Sequence, residues 1–344
     1  MKSLASDNYS PVDPEIFDYL KEINTGHAKA YSNDDYTAQA RKVVQKALGR
    51  DDAAVHFVLT GTAANVLSIK QCLKSTESVL VAETSHIYVN ESGAPEVMAG
   101  NKLIPLPVVH GKIDTNSAEK IVSQQMDNIP HGPKPGMLSI AQSTEYGTVY
   151  TLDELRTISQ FCKKNNLLFH MDLCRVYNAT IALNVSLKEI IDAAIPDIVS
   201  LGGTKNGLMM AEAVVIFNKN YQEGFAILQK QGMQLYSKMR YLSAQFIPFF
   251  EKEIWKRNAK ASNEMCHYLY EQIKDLPKIE VTTPVQTNHI FLRIPKEAIA
   301  PLQELTFFYV WDLVTSEIRL VTSFDTTKEE IDLFVKKLKE LVKS

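Results

Sequence analysis

A lysine stands in a turn of small residues, Gly202-Gly203-Thr204-Lys205-Asn206-Gly207, 33 residues downstream of an aspartate in His170-Met171-Asp172. Each follows a short apolar run, 197–201 and 167–169, of the kind that forms a buried strand. A lysine and a carboxylate at neighbouring strand ends can grip the two ends of one flat cofactor. The amine condenses with an aldehyde, and the anion holds a ring nitrogen protonated. Pyridoxal phosphate (PLP) needs that pair. Taken alone, a lysine after two glycines is a surface residue of a turn, and a strand-end aspartate is a helix cap. Taken together they reinforce one another, because a carboxylate behind an apolar strand is costly unless paired. Arg175 is a second available partner for Asp172.

Other residues could serve such a site. Thr60-Gly61-Thr62-Ala63-Ala64-Asn65 follows the apolar run 55–59 and opens a helix. Small residues at a helix N-terminus leave N–H groups that can cradle a phosphate, although many strand–helix turns share this look. No G-x-x-x-x-G-K-[ST] and no G-x-G-x-x-G after a strand is present, which disfavours nucleoside triphosphate and dinucleotide sites. His86, in Glu83-Thr84-Ser85-His86, follows the strand-like run 78–82 and could stack on a pyridine ring and exchange protons. A histidine so placed is more often structural. Cys174, two residues beyond Asp172, fits the opposite face of a bound ring, or simply a small core position. Arg319 alternates away from Ile318 and Leu320 and is a natural holder for a substrate carboxylate, or else a solvated edge residue.

These residues hang on a regular scaffold. Strand-like runs at 55–59, 78–82, 103–109, 137–142, 167–172, 197–201 and 213–217 alternate with amphipathic stretches such as 115–126 and 152–164. The alternation predicts an α/β fold with a mostly parallel sheet of about seven strands between helices. Beyond residue 234 the pattern changes. Residues 235–274 read as one long helix bent near Pro248, followed by runs at 279–283, 288–294, 306–311 and 318–322 and a helix over 328–342. The expected domains are residues 1–234, a large cofactor-binding α/β domain, and 235–344, a smaller α+β domain, with the N-terminal segment free to pack on the latter.

The chain has 344 residues, 45% apolar and 22% charged, with net charge −3. That balance points to a soluble globular protein without affinity for nucleic acid. Cys72, Cys162, Cys174 and Cys266 are scattered without a C-x-x-C, so no disulfide framework or metal site is expected and a reducing, cytoplasmic setting fits. No signal peptide and no membrane span is expected.

Together these segments resemble the PLP-dependent L-threonine aldolase family within the fold-type-I PLP enzymes, nearest to the bacterial low-specificity L-threonine aldolase and phenylserine aldolase branch. The likeness runs from Ser6 to Asp325. It is carried by Ala5-Ser6-Asp7-Asn8-Tyr9-Ser10, Gly26-His27 with Ala30-Tyr31, Gly61-Thr62-Ala63-Ala64-Asn65, Gly93-Ala94-Pro95-Glu96, His170-Met171-Asp172 with Arg175, the Lys205 turn, Ser237-Lys238-Met239-Arg240 and Ser323-Phe324-Asp325-Thr326. The resemblance implies that Lys205 bonds the cofactor aldehyde, Asp172 the pyridine nitrogen and Arg175 the ring 3-oxygen. Gly61, Thr62 and Thr204 would bind phosphate, and His86 would stack on the ring. Ser6 and Arg319 would bind the substrate carboxylate. Tyr31 and Arg240 would reach the site of a partner subunit, in a homodimer or homotetramer.

Three departures stand out. The family's D-G-A-R is Asp172-Leu173-Cys174-Arg175, its Y-G-D-D is Tyr31-Ser32-Asn33-Asp34, and its E-N-T-H histidine is replaced in Ser143-Thr144-Glu145. The implied activity is cleavage of the Cα–Cβ bond of L-threonine, L-allo-threonine or related β-hydroxy-α-amino acids to glycine and an aldehyde. His86 or Glu145 would take the hydroxyl proton. A β-eliminating lyase or aminotransferase on the same scaffold, or a PLP-binding protein without turnover, is the alternative.

Overall fold

A computed structural model describes residues 2–343. Its main sheet has seven strands: β1 (Ala54–Val58), β2 (Glu77–Ala82), β3 (Lys102–Leu106), β4 (Lys134–Ala141), β5 (Leu168–Leu173), β6 (Ile198–Leu201) and β7 (Glu212–Ile216). Their order is β1-β7-β6-β5-β4-β2-β3. Neighbours from β6 through β5, β4 and β2 to β3 are parallel, while β7 runs antiparallel to both β6 and β1. These are the seven strands expected from the sequence. The run 103–109 divides: Pro107 cannot donate to a ladder, and Val108–Val109 leaves the sheet to pair with Lys112–Ile113.

Successive strand residues point to opposite faces. Val79 and Val81 join one apolar core with α1 (Gly61–Cys72), whereas Leu80 and Ala82 join the other. Both faces are therefore covered, as a parallel sheet requires. β6 and β7 are buried along their whole length.

A third core lies on a four-stranded antiparallel sheet of β8 (Glu280–Val281), β9 (His289–Arg293), β10 (Tyr309–Asp312) and β11 (Glu317–Val321), in the order β8-β9-β11-β10. The stretch read as one bent helix is three: Arg240–Ser243, Phe246–Glu251 and α2 (Ile254–Ile273), the last two parted at Glu253, whose φ is +52°. Pro248 lies in the first turn of the middle piece, where its missing N–H costs nothing. Met239, Phe246, Phe249, Ile254 and Ala259 pack into the main core, whereas Leu269 and Ile273 pack into the small one. Leu4 also belongs to the small core: its N–H bonds Phe307 O at 3.0 Å, and its carbonyl accepts from Val321 at 2.8 Å. Among the described residues no helix is long and apolar enough to cross a membrane.

Candidate active site

The carboxyl ends of β2, β4, β5 and β6 point the same way, and the segments leaving them meet at two adjoining cavities of about 420 and 390 Å³. Open α/β sheets bind ligands at such strand ends. Asn8, His86, Asp172, Cys174 and Lys205 line both cavities. Lys205 lies in a short 3-10 turn, Thr204–Asn206, after β6. Gly202 is required there by close approach: a Cβ would sit 2.6 Å from Cys174 Cα. Asp172, near the end of β5, accepts from Asn65 Nδ2 at 3.0 Å through Oδ2 and from the Cys174 N–H at 2.9 Å through Oδ1. Burial pushes its carboxyl up. The Lys205 charge and these hydrogen bonds outweigh burial and leave it below the ordinary carboxylate value.

One cavity ends at the N-terminus of α1. Thr60 caps the helix, its Oγ1 accepting from Ala63 N at 3.1 Å, and Gly61 and Thr62 line the cavity with Thr204. Nearby, Glu212 is buried and its Oε2 accepts from Gly203 N at 3.2 Å. Burial, with a smaller push from the Asp172 charge, drives its carboxyl up to about 7.

The other cavity reaches the small sheet, with Ser6, Glu145, Arg175, Trp311 and Arg319 in its wall. Arg175 is clamped by Asp7 through two parallel bonds, Nε to Oδ2 and Nη2 to Oδ1, both 2.7 Å. Burial pushes the Asp7 carboxyl up, but the guanidinium reverses this and holds it well below the usual range. Arg319 donates through Nη2 to Ala5 O at 3.1 Å and packs against the rings of Tyr309 and Trp311, 5.4 and 5.1 Å from their centroids. Its Nε is buried without a partner among the described residues. Burial, then the neighbouring Arg175 charge, lowers it to about 10. Ser6 Oγ accepts from Asn8 N at 3.2 Å. Glu145 Oε1 accepts from His86 N at 2.8 Å, and burial drives its carboxyl up to about 7.

The fold therefore gathers Lys205, Asp172, Arg175, Cys174, His86, Glu145, Gly61, Thr62, Thr204, Ser6 and Arg319 around one space. It does not bring in Tyr31 or Arg240 of the same chain. Tyr31 is 47% exposed beneath Lys230, and its N–H bonds Ser237 O at 3.1 Å. Arg240 donates to Thr25 O and Tyr241 Oη and borders a separate surface cleft beside residues 26–29. Sequence reasoning passed over Asp7, Asn65, Glu91, Glu212 and Trp311. Asp7 and Asn65 stood inside quoted motifs, and their polar character next to apolar neighbours was the available signal. Glu91 and Trp311 carried none.

The donor set suits a phosphorylated pyridine aldehyde. An amine and a buried anion share one cavity, a capped helix N-terminus closes one end, and an arginine with an unfilled N–H closes the other. Sheet order, strand-end lysine and carboxylate together define an α/β enzyme of fold-type I. The chain belongs to the beta-eliminating lyase family, whose sequence pattern matches residues 3–296, and within it to the threonine aldolases. It is 36% identical over 331 residues to a low specificity L-threonine aldolase of a Pseudomonas species, covering 96% of this chain and 95% of that one. The low specificity L-threonine aldolase of Saccharomyces cerevisiae is 25% identical over 306 residues, covering 87% and 75%. A solved threonine aldolase from Leishmania major superimposes with a TM-score of 0.93 at 28% identity, over 99% of this chain and 100% of that one.

Proposed function

We propose that this protein is a PLP-dependent lyase that cleaves the Cα–Cβ bond of L-threonine, L-allo-threonine and related β-hydroxy-α-amino acids to glycine and an aldehyde. The observation that carries the reading is the shared cavity of Lys205 and Asp172, flanked by the Gly61–Thr62 helix end and by Arg319. Relatives named low specificity L-threonine aldolases support the substrate class.

In this reading Lys205 would bond the cofactor aldehyde, Asp172 would hold the ring nitrogen and Arg175 the 3-oxygen. Gly61, Thr62 and Thr204 would hold the phosphate, and His86 and Cys174 would pack on the ring. When bound, PLP supplies an electron sink for the pair released from the breaking bond. The protein does the rest. Arg319, with its unfilled Nε, and Ser6 pin the substrate carboxylate, which sets which bond at Cα is aligned to break. His86 takes the β-hydroxyl proton. Glu145 holds the His86 backbone through its N–H. Tyr31 and Arg240 serve the site of a second copy, a role that the family resemblance implies and that fits their absence from the walls of their own chain's two cavities. We take the main sheet with the cores on its two faces as one domain and the small sheet with its core as the other, counting 239–259 with the first and Leu4 with the second. A cytosolic setting is supported by four free cysteines.

The test is product analysis with L-threonine, L-allo-threonine and L-phenylserine. Glycine with acetaldehyde or benzaldehyde is expected. Ammonia with 2-oxobutanoate from either threonine, or with phenylpyruvate from phenylserine, would instead show elimination. Lys205→Ala should remove the visible absorbance of the protein-bonded cofactor, and survival of that band would displace Lys205 from its role.

A further inference from the structure

Glu91 follows the short helix His86–Val89 and its side chain is wholly buried. Its Oε1 lies 2.8 Å from His86 Nδ1 and 3.1 Å from Asn65 Nδ2. Asn65 Nδ2 also reaches Asp172 Oδ2, at 3.0 Å. Four side chains thus form one line, His86–Glu91–Asn65–Asp172. An ionised carboxylate can only accept, so the proton of the Glu91–His86 bond belongs on Nδ1. The other ring nitrogen, Nε2, is then a bare lone pair on a residue that lines both cavities. Glu91 Oε2 is buried with no partner among the described residues, so the Glu91 charge is answered by the Asn65 amide and the His86 ring. Asn65 donates to both carboxylates and cannot pass a proton between them. It holds the two carboxylates in place.

We propose that Glu91 is the positioning residue of the base: it fixes the tautomer of His86 that presents Nε2 to the β-hydroxyl and stabilises the imidazolium formed when the proton is taken. The inference rests on the function proposed above. It deepens that function by giving His86 the hydroxyl proton and leaving Glu145 as a hydrogen-bond acceptor for the His86 backbone. A carboxylate that orients a histidine and supports its charge is a general device for raising basicity.

The groups facing His86 from other elements are Glu145 from the segment after β4, Asp172 and Arg175 around the end of β5, and Lys205 from the turn after β6. Glu212 of β7 and Cys174 line the cavity with it, and Tyr9, Tyr309 and Arg319 close its far side. Glu91 alone among them bonds the ring, so a change there acts on His86 first.

The test uses the holoenzyme. Glu91→Gln keeps an oxygen for Nδ1–H but removes the charge. The acid limb of the kcat/KM profile should move about one pH unit lower, because His86 then releases its proton more easily. Glu91→Leu removes acceptor and charge together, and kcat should fall about 100-fold. Glu91→Asp, which keeps the charge, should restore the acid limb. Nitrogen-15 NMR of labelled histidine should show the Nδ1–H tautomer at His86. An Nε2–H tautomer, or an acid limb that Glu91→Gln leaves in place while Glu91→Leu lowers kcat, would overturn the proposal. Absence of glycine release by the unmodified enzyme would instead sink the proposed reaction, and the tautomer would still be read independently.

Discussion

The Asp7–Arg175 pair ties the N-terminal segment, whose Leu4 lies in the small core, to the end of β5 in the main one. Its side chains are 2% and 14% exposed. The perturbation is Asp7→Asn. It removes one charge of a buried bidentate pair and leaves the Arg175 guanidinium without its counter-charge. Breaking such a pair from one side costs about 3–5 kcal/mol, most of it the uncompensated ion. At about 1.4 °C per kcal/mol for a chain of 344 residues, the thermal midpoint should fall by roughly 4–7 °C. The sign with pH follows from the depressed folded-state value. The stabilisation is fully present above the ordinary value of 3.8 and is lost as pH falls through the lower folded one. The deficit of the variant should therefore be flat from pH 5 to 8 and close in strong acid. Circular dichroism melts across pH, with limited proteolysis of the N-terminal segment, would measure it. The double variant Asp7→Leu with Arg175→Met should recover much of the loss, since no ion is left unpaired. A single variant within about 1 kcal/mol of the unmodified protein, or a double variant worse than the single, would refute the reasoning.

Glu145→Gln should stabilise the protein increasingly as pH rises from 4.5 to 7, where the native carboxyl holds its proton and the unfolded one does not. A rise from 4.5 to about 7 corresponds to on the order of 3 kcal/mol above neutrality, readable by urea denaturation at pH 5 and pH 8. Arg319→Gln should raise KM for amino acid about 10- to 100-fold with a smaller change in kcat, the signature of a lost charge-assisted hydrogen bond in steady-state kinetics. Thr60→Ala should cost about 1 kcal/mol in thermal denaturation through loss of the Ala63 cap, and should weaken cofactor retention on dialysis.

The local alphabet of the fold was legible because burial leaves a mark on composition. Strands covered on both faces are continuous apolar runs, so β4, β5, β6 and β7 stood out, and the glycines around Lys205 marked a turn pressed against other backbone. Pro107 shortened a strand and Glu253 split a helix, since single residues of unusual conformation weigh little against a long apolar pattern. The residues that line the two cavities sit in short motifs beside those strands, which is why Lys205, Asp172, Gly61, Thr62 and His86 could be named as candidates from the chain alone. What supports them could not. Asp7 meets Arg175 across 168 positions, and Asn65 meets Asp172 across 107. Trp311 reaches Arg319 only through the pairing of β10 with β11. Chemistry that depends on residue type and a nearby strand end is written locally. Charge balance and the walls of the two cavities depend on distances between remote segments, and those exist only once the sheets have closed.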